Sequence, residues 1–235
     1  MTLTEQQRAE LRQAIAAYDY PKDTYDYERH LPMKHPTMRE LEDSVRNQLL
    51  TASPQRVKDG LSNVLYWGHL SAGGRGRDEN FRRKVSIGQI RKAMALFRML
   101  QGPGLKELAK LKLPEYSQLS FLSKLRMFLD PTQHVVLDLQ LARLQNARAN
   151  TLFRRLKLYA KPDQQARYIP STQRNVDVYR DWCALCVRTA RKELPGKGAI
   201  AVDVERGIFH LAQSNPGKAA ALVAALERCY LSPGG

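Results

Sequence analysis

Cysteine is scarce in this chain: Cys183, Cys186 and Cys229 are the only three among 235 residues. Three thiols do not make a disulfide framework and fit the reduced side chains of an intracellular protein. Long apolar runs are missing as well. Nothing approaches the ~18 uninterrupted apolar residues of a membrane span, and the opening MTLTEQQRAEL is polar and helix-like rather than a signal sequence. The expectation is a soluble, cytoplasmic protein that does not engage a membrane, nucleoid-associated if bacterial. Strand-like alternation of useful length is absent, and so are internal repeats. The five histidines are scattered with no H-E-x-x-H, and Cys183-x-x-Cys186 has no second pair at zinc spacing. Three and four residues is also helix periodicity, so two core cysteines explain the pair better than a metal does.

Acidic residues are the most telling shortage. Twenty-three Asp and Glu stand against 38 Lys and Arg, a formal charge of +15, which points to a polyanionic partner. The imbalance is segregated. From Arg75 to Lys112 there are eleven basic and three acidic residues, and from Leu139 to Pro162 six basic and none acidic. Residues 1–45 are mildly acidic, with six basic and nine acidic residues. Such segregation favours a binding face over general solubility. Hydrophobic residues make up 43%, enough for a packed core.

What is present reads as helices. Thr4-x-x-Gln7 forms a capping box ahead of Leu11, Ile15 and Tyr18, and Pro21 ends that helix. Thr37-x-x-Glu40 opens a second helix with Met38, Leu41, Val45 and Leu49 on one side. Ser53-Pro54 opens a third, with Val57, Leu61, Val64 and Leu65 as its stripe. The tyrosine-rich stretch between Tyr20 and Pro36 reads as a loop. After the glycine-rich Ser71–Asn80 segment one long helix is expected through Ile87, Ile90, Met94 and Phe97 to Met99. Gly102-Pro103-Gly104 breaks it. A short helix then runs to Lys112, and another from about Ser117 to Leu129 stops at Asp130-Pro131. Pro162–Pro170 reads as a loop, followed by helices from Asn175 to Glu193, from near Asp203, and from Asn215-Pro216 to near Arg228. The fold class is all-α, about nine or ten helices with short connections. The expected organisation is one unit over 1–235: N-terminal helices (1–52), a basic helical part with a hairpin-like segment (53–145), and C-terminal helices completing the cleft (146–235).

Three features carry chemistry. The loop Ala72-Gly73-Gly74-Arg75-Gly76-Arg77 is neither a P-loop nor a dinucleotide fingerprint. Its arginines, with Arg82, Arg83 and Lys84, have the character of phosphate contacts, as a solvated loop also would. Tyr66, Trp67 and His69 just before it are candidates for stacking on an extruded base, or are core at a helix end. Lys124 is the one lysine on an otherwise apolar helical face of Phe121, Leu122, Leu125, Phe128 and Leu129, and Asp138 closes the apolar Val135-Val136-Leu137 run. An amine taken out of water holds its proton less tightly and can attack carbon. Asp138 reads first as a helix N-cap, but a carboxylate there can also stabilise an oxocarbenium ion. An ordinary ion pair and a nucleophile with its electrostatic partner both fit the spacing.

Ser123-Lys124 followed by Val135-Val136-Leu137-Asp138 resembles the helix-hairpin-helix DNA glycosylases, especially proteins with an 8-oxoguanine DNA glycosylase fold. There a Ser/Thr-Lys pair at the start of a helix precedes an apolar V-x-V-D segment. Leu65–His69 and Ala199–Phe209 resemble segments of small bacterial members. The resemblance, spanning roughly residues 60 to 212, implies a glycosylase-like bundle in which Lys124 attacks the sugar C1′ and Asp138 activates it or stabilises the sugar cation. The partner would be double-stranded DNA with a modified base flipped into a pocket formed with Tyr66, Trp67 and His69. Ser123 and Arg143 would join the basic residues on the backbone. Some small relatives excise modified cytosines from viral DNA in anti-phage defence, so the base need not be 8-oxoguanine. The four-cysteine iron–sulfur motif of some relatives is absent, no cofactor is implied, and a monomer is expected. The usual hairpin reads L-P-G-x-G before the lysine. Here Ser120 and Leu122 stand at the glycines, Leu113-Pro114 lies several residues early, and the lysine-to-aspartate spacing is about one helical turn short.

Overall fold

Side-chain caps written into the sequence start most of the helices. In a computed structural model, which describes residues 2–70, 75–99, 104–161, 164–196 and 198–230, Thr4 and Gln7 form the expected capping box of α1 (Glu5–Ala16). Thr37 caps α2 (Met38–Leu50), and Ser53 with Pro54 opens α3 (Pro54–His69). Thr172 and Asn215 do the same for α9 and α11 below. Each such cap contributes about 1 kcal/mol and fixes where a helix begins.

The chain divides into two compact units. Residues 20–130 form one, and residues 1–19 together with 131–235 form the other. The breaks fall at Asp19 and Asp130 rather than at 52 and 145. Residues 20–52 belong with the middle of the chain, and α1 with the C-terminal part.

In the 20–130 unit a short hairpin of β1 (Asp23–Asp26) and β2 (Leu31–Lys34) precedes α2 and α3. α4 (Gly76–Lys84), α5 (Ile87–Phe97), α6 (Leu105–Lys110) and α7 (Leu119–Leu129) follow. α3 is the central element, packing on β1, α2, α4, α5 and α7. Its stripe Val57, Leu61, Val64 and Leu65 is fully buried, as are Leu41, Val45 and Leu49 of α2. A Cβ on Gly60 would lie 2.9 Å from Gln48 Cβ, which explains a glycine where α2 and α3 cross. Buried Asn63 ties the hairpin to both helices. It accepts from Tyr25 N at 2.7 Å and donates to Gln48 Oε1 at 3.1 Å.

The other unit contains α1, α8 (Leu139–Ala142), two 3₁₀ turns (Arg143–Asn146 and Leu152–Arg155), and a hairpin of β3 (Tyr159–Lys161) and β4 (Gln164–Tyr168). It is completed by α9 (Gln173–Glu193), α10 (Ala201–Ser214) and α11 (Pro216–Tyr230). α1 packs along α10, where a Cβ on Gly207 would meet Ile15 Cγ1 at 2.8 Å. Buried Glu193 ties the N-terminal segment to the end of α11. Its carboxylate accepts from Leu3 N at 3.0 Å, Arg8 Nη1 at 3.4 Å and the Tyr230 hydroxyl. Trp182 fills the centre, with its indole N–H on Val136 O at 3.0 Å and its ring against Phe153.

The protein is mostly helical, with eleven α-helices among the described residues. Two expectations need correction. The stretch read as a loop at 20–36 holds an antiparallel hairpin, and the one at 162–170 holds the second strand of another, with strands of three to five residues. Such strands are too short for a period-two signal, and β2 is exposed at every position. The expected long helix before Met99 is two helices, because Ser86 and Gln89 form a capping box that restarts the backbone at Ile87. Ala72-Gly73-Gly74 and Gly102-Pro103 lie outside the described residues. Among the described residues no helix is long and apolar enough to cross a membrane.

Candidate functional site

α6 and α7 are joined by residues 111–118, a tight connection with two left-handed residues that are not glycine: Lys112 at φ 47° and Glu115 at φ 66°. Each costs about 1–3 kcal/mol and persists only where its surroundings compensate. Here they do so from three helices. Gln89 of α5 donates to Lys112 O at 2.7 Å, Arg77 of α4 donates to Glu115 Oε2 at 2.8 Å with Asn80 on the other oxygen, and the Tyr116 hydroxyl donates to Leu61 O of α3 at 2.6 Å. Burial pushes the Tyr116 phenol well above its ordinary value.

This hairpin corrects the expected register. Leu113-Pro114 lies within it, and Glu115 adopts the left-handed backbone that suits glycine. Ser120 and Leu122, expected at the hairpin, are buried inside α7. Lys124 is therefore the sixth residue of α7 rather than its start. Five residues at about 1.5 Å each carry it some 7.5 Å along the helix from Leu119.

The Lys124 side chain is 7% exposed. Its aliphatic stem runs over Gly68 of α3, where a Cβ would lie 2.8 Å from Lys124 Cδ and 3.0 Å from Phe121 Cε1. Its Nζ stands 5.5 Å from the Phe121 ring centroid, and the Arg77 guanidinium carbon stands 5.0 Å from the same ring. Two cations thus share one aromatic face region, with Glu115 balancing Arg77.

The other expected site residues divide sharply. Tyr66 and Trp67 are core rather than pocket. The Trp67 N–H donates to Pro21 O at 3.1 Å and its ring packs edge-on against Tyr20 and Phe128, while Tyr66 packs on Tyr25 and burial raises its phenol. His69, the last residue of α3, is half-buried. Ser123 is fully buried and donates to Ser120 O at 3.0 Å.

Arg75 donates to the Tyr25 hydroxyl at 2.7 Å and pairs with Glu79 at 3.1 Å. Arg82 pairs with Asp59 at 2.6 Å over the Tyr27 ring. These two arginines brace the β1–β2 hairpin. Arg83 and Lys84 are exposed at the end of α4, where phosphates could reach them. Sequence reasoning missed Asp78, a fully buried carboxylate that accepts from the Tyr27 hydroxyl at 2.8 Å. Burial raises its proton affinity, and Tyr27 is raised by burial first and by Asp78 second. An acid in the first turn of α4 looks like a helix-end charge; only packing reveals it as interior.

Asp138 and Arg143 belong to the other unit. Val135, Val136 and Leu137 are buried, and Asp138 caps α8 as its sequence suggests. Its Oδ1 accepts from Gln140 N at 3.0 Å and Leu141 N at 3.2 Å. Gln140 in turn donates to Ala212 O of α10 at 2.9 Å. The carboxylate is thereby fixed at the head of a helix with its charge met by backbone amides. Arg143 is exposed. Cys183 and Cys186 are buried core residues of α9, and burial raises the Cys186 thiol. Among the described residues no group of three or more His, Cys, Asp or Glu is placed to hold a metal.

Compared with known proteins, the chain matches no family model, no curated protein and no solved structure.

Proposed function

We propose that the protein is a DNA glycosylase that excises a modified or damaged base. In this reading Asp138 is the carboxylate that stabilises the sugar cation and Lys124 the amine that attacks C1′. The bond from C1′ to the base breaks as the Lys124 nitrogen bonds to C1′, the base leaves with the electron pair, and the adduct opens to a Schiff base that borohydride reduces. Hypermodified cytosines of viral DNA are a substrate class consistent with the resemblance. The observation that carries the reading is the order of α6, a hairpin with Leu113-Pro114 and left-handed Glu115, α7 with its buried lysine, and Asp138 capping the next helix. The segregated +15 charge supports DNA as the partner. Borohydride trapping on DNAs bearing candidate bases tests the covalent step. A trapped adduct lost in Lys124→Met supports it; no adduct, with excision unchanged in that variant, removes it.

A second reading is a non-catalytic DNA-binding protein. Lys124 at the centre of α7 rather than its start, and Asp138 already accepting two cap bonds, favour it. It predicts salt-dependent duplex binding and no base release from any substrate.

A further inference from the structure

The β3–β4 hairpin stands on an unusually well-defined root. Asn175, fully buried in the first turn of α9, donates to Lys157 O and Pro170 O, both at 2.9 Å, and accepts from Lys157 N at 2.9 Å. One side chain thus clamps the strand entering the hairpin to the segment leaving it. All three polar positions of its amide are used, so the hairpin's base is fixed relative to α9. Arg174 adds a further tie, donating from Nε to Arg155 O at 2.5 Å.

What this fixed element presents is aromatic and basic. Tyr159 and Tyr168 face each other directly across the two strands, so their rings share one face, with centroids 6.2 Å apart at 39°. Tyr159 is 41% exposed although it is a large aromatic residue. Lys157 and Arg167 are exposed on the hairpin, and Arg154 and Arg174 are exposed at its root. Arg155 is not counted with them, because Asp181 already neutralises it at 2.6 Å. From Leu139 to Pro162 the sequence has six basic residues and no acidic one, and Asp163 is the one acidic residue between the strands.

We propose that this hairpin is a nucleic-acid-contacting arm: Lys157, Arg167, Arg154 and Arg174 meet backbone phosphates and the Tyr159–Tyr168 pair packs on the sugars of duplex DNA. A cross-strand tyrosine pair with one ring exposed, set among exposed cations, suits a polyanion whose sugars offer apolar faces between the phosphates. The rigid root matters because a pre-ordered arm spends less free energy on ordering when it binds. The arm is distinct from the arginines at and within α4, of which Arg75, Arg77 and Arg82 form ion pairs with the protein itself. It rests on the reading of the chain as a DNA-acting protein.

The test is fluorescence anisotropy on a short unmodified duplex across a salt series. It compares the parent chain with Lys157→Ala/Arg167→Ala and with Tyr159→Ala, all three at exposed positions. The double variant is expected to bind about tenfold more weakly at moderate salt, with a slope of log K against log salt shallower by about 2, since each lost phosphate contact removes roughly 0.9. Tyr159→Ala is expected to weaken binding about threefold through lost packing on the sugars, with the slope retained. Folded variants with the parent's Kd and slope overturn the arm, and so does binding of the parent to anionic phospholipid vesicles but not to duplex. Base release by the parent is scored in parallel on duplexes carrying oxidised, alkylated and hypermodified bases. If the parent releases a base while the variants bind normally, the arm fails and the glycosylase reading stands. If the parent binds duplex through the arm but releases no base, the reverse holds. A parent that binds no duplex ends both.

Discussion

Lys124 lies against Gly68: its stem occupies the space a Cβ would take, with Cδ 2.8 Å and Cε 3.1 Å from that point. A glycine near the end of α3 is therefore the condition for a lysine at the centre of α7. The pairing joins the Tyr66–His69 segment to the Lys124 helix through packing rather than through a shared pocket of aromatics.

Gly68→Ala is expected to destabilise the protein by about 1–3 kcal/mol, since Lys124 and Phe121 must both yield to the new methyl. In a Lys124→Ala background the stem is gone and the cost should fall, giving a coupling of about 1 kcal/mol in a double-mutant cycle measured by urea denaturation. Strictly additive effects would show that the contact is unimportant.

Asp138 caps α8, and the proposed chemistry gives it a second, separable role. Asparagine caps a helix about as well as aspartate, so Asp138→Asn should keep the melting temperature while losing base release. Asp138→Ala should lose both, with a stability cost of about 1 kcal/mol from the missing cap. Base release retained in Asp138→Asn would reduce the residue to its capping role.

The buried Tyr27–Asp78 pair gives the 20–130 unit an alkaline limit. The folded-state phenol is raised, by burial first and by Asp78 second, so its contribution is fully present below the unfolded tyrosine value of about 10. Above that pH the unfolded chain loses the proton and the folded one does not, so stability falls as pH rises. Chemical denaturation from pH 8 to 11 should show this decline, and Tyr27→Phe should make it shallower. The same substitution should cost about 1–3 kcal/mol at neutral pH, because Asp78 loses its hydroxyl donor.

Asn175→Ala should destabilise by about 3 kcal/mol, from three hydrogen bonds at roughly 1 kcal/mol each. Hydrogen exchange should speed up at Lys157 and across residues 164–168. Unchanged protection there would mean that the hairpin does not depend on its buried clamp.

Local chemistry was readable from the residues and tertiary chemistry was not. Thr4, Thr37, Ser53 and Asp138 act as caps where the sequence places them, since a cap needs only its own next three residues. Ser86-x-x-Gln89 carried the same local signal, but the apolar spacing on both sides of it favoured one long helix. The hairpin before α7 was misplaced because Lys112 and Glu115, unlike glycine, do not advertise a left-handed backbone. They are held in it by Gln89, Arg77 and Asn80 from distant helices. Ser123 and Trp67 looked available in sequence, yet their burial is decided by what packs on α7 and α3. The basic character around Arg75 and Arg82 was visible, whereas their use in bracing tyrosines was not.

The most direct test of the central claim is a mass-spectrometric search for free bases after incubating the protein with DNAs carrying oxidised, alkylated and phage-type hypermodified bases. The account predicts release of at least one modified base by the parent chain and none by Asp138→Asn. Duplex binding with no base released from any of these DNAs would contradict it.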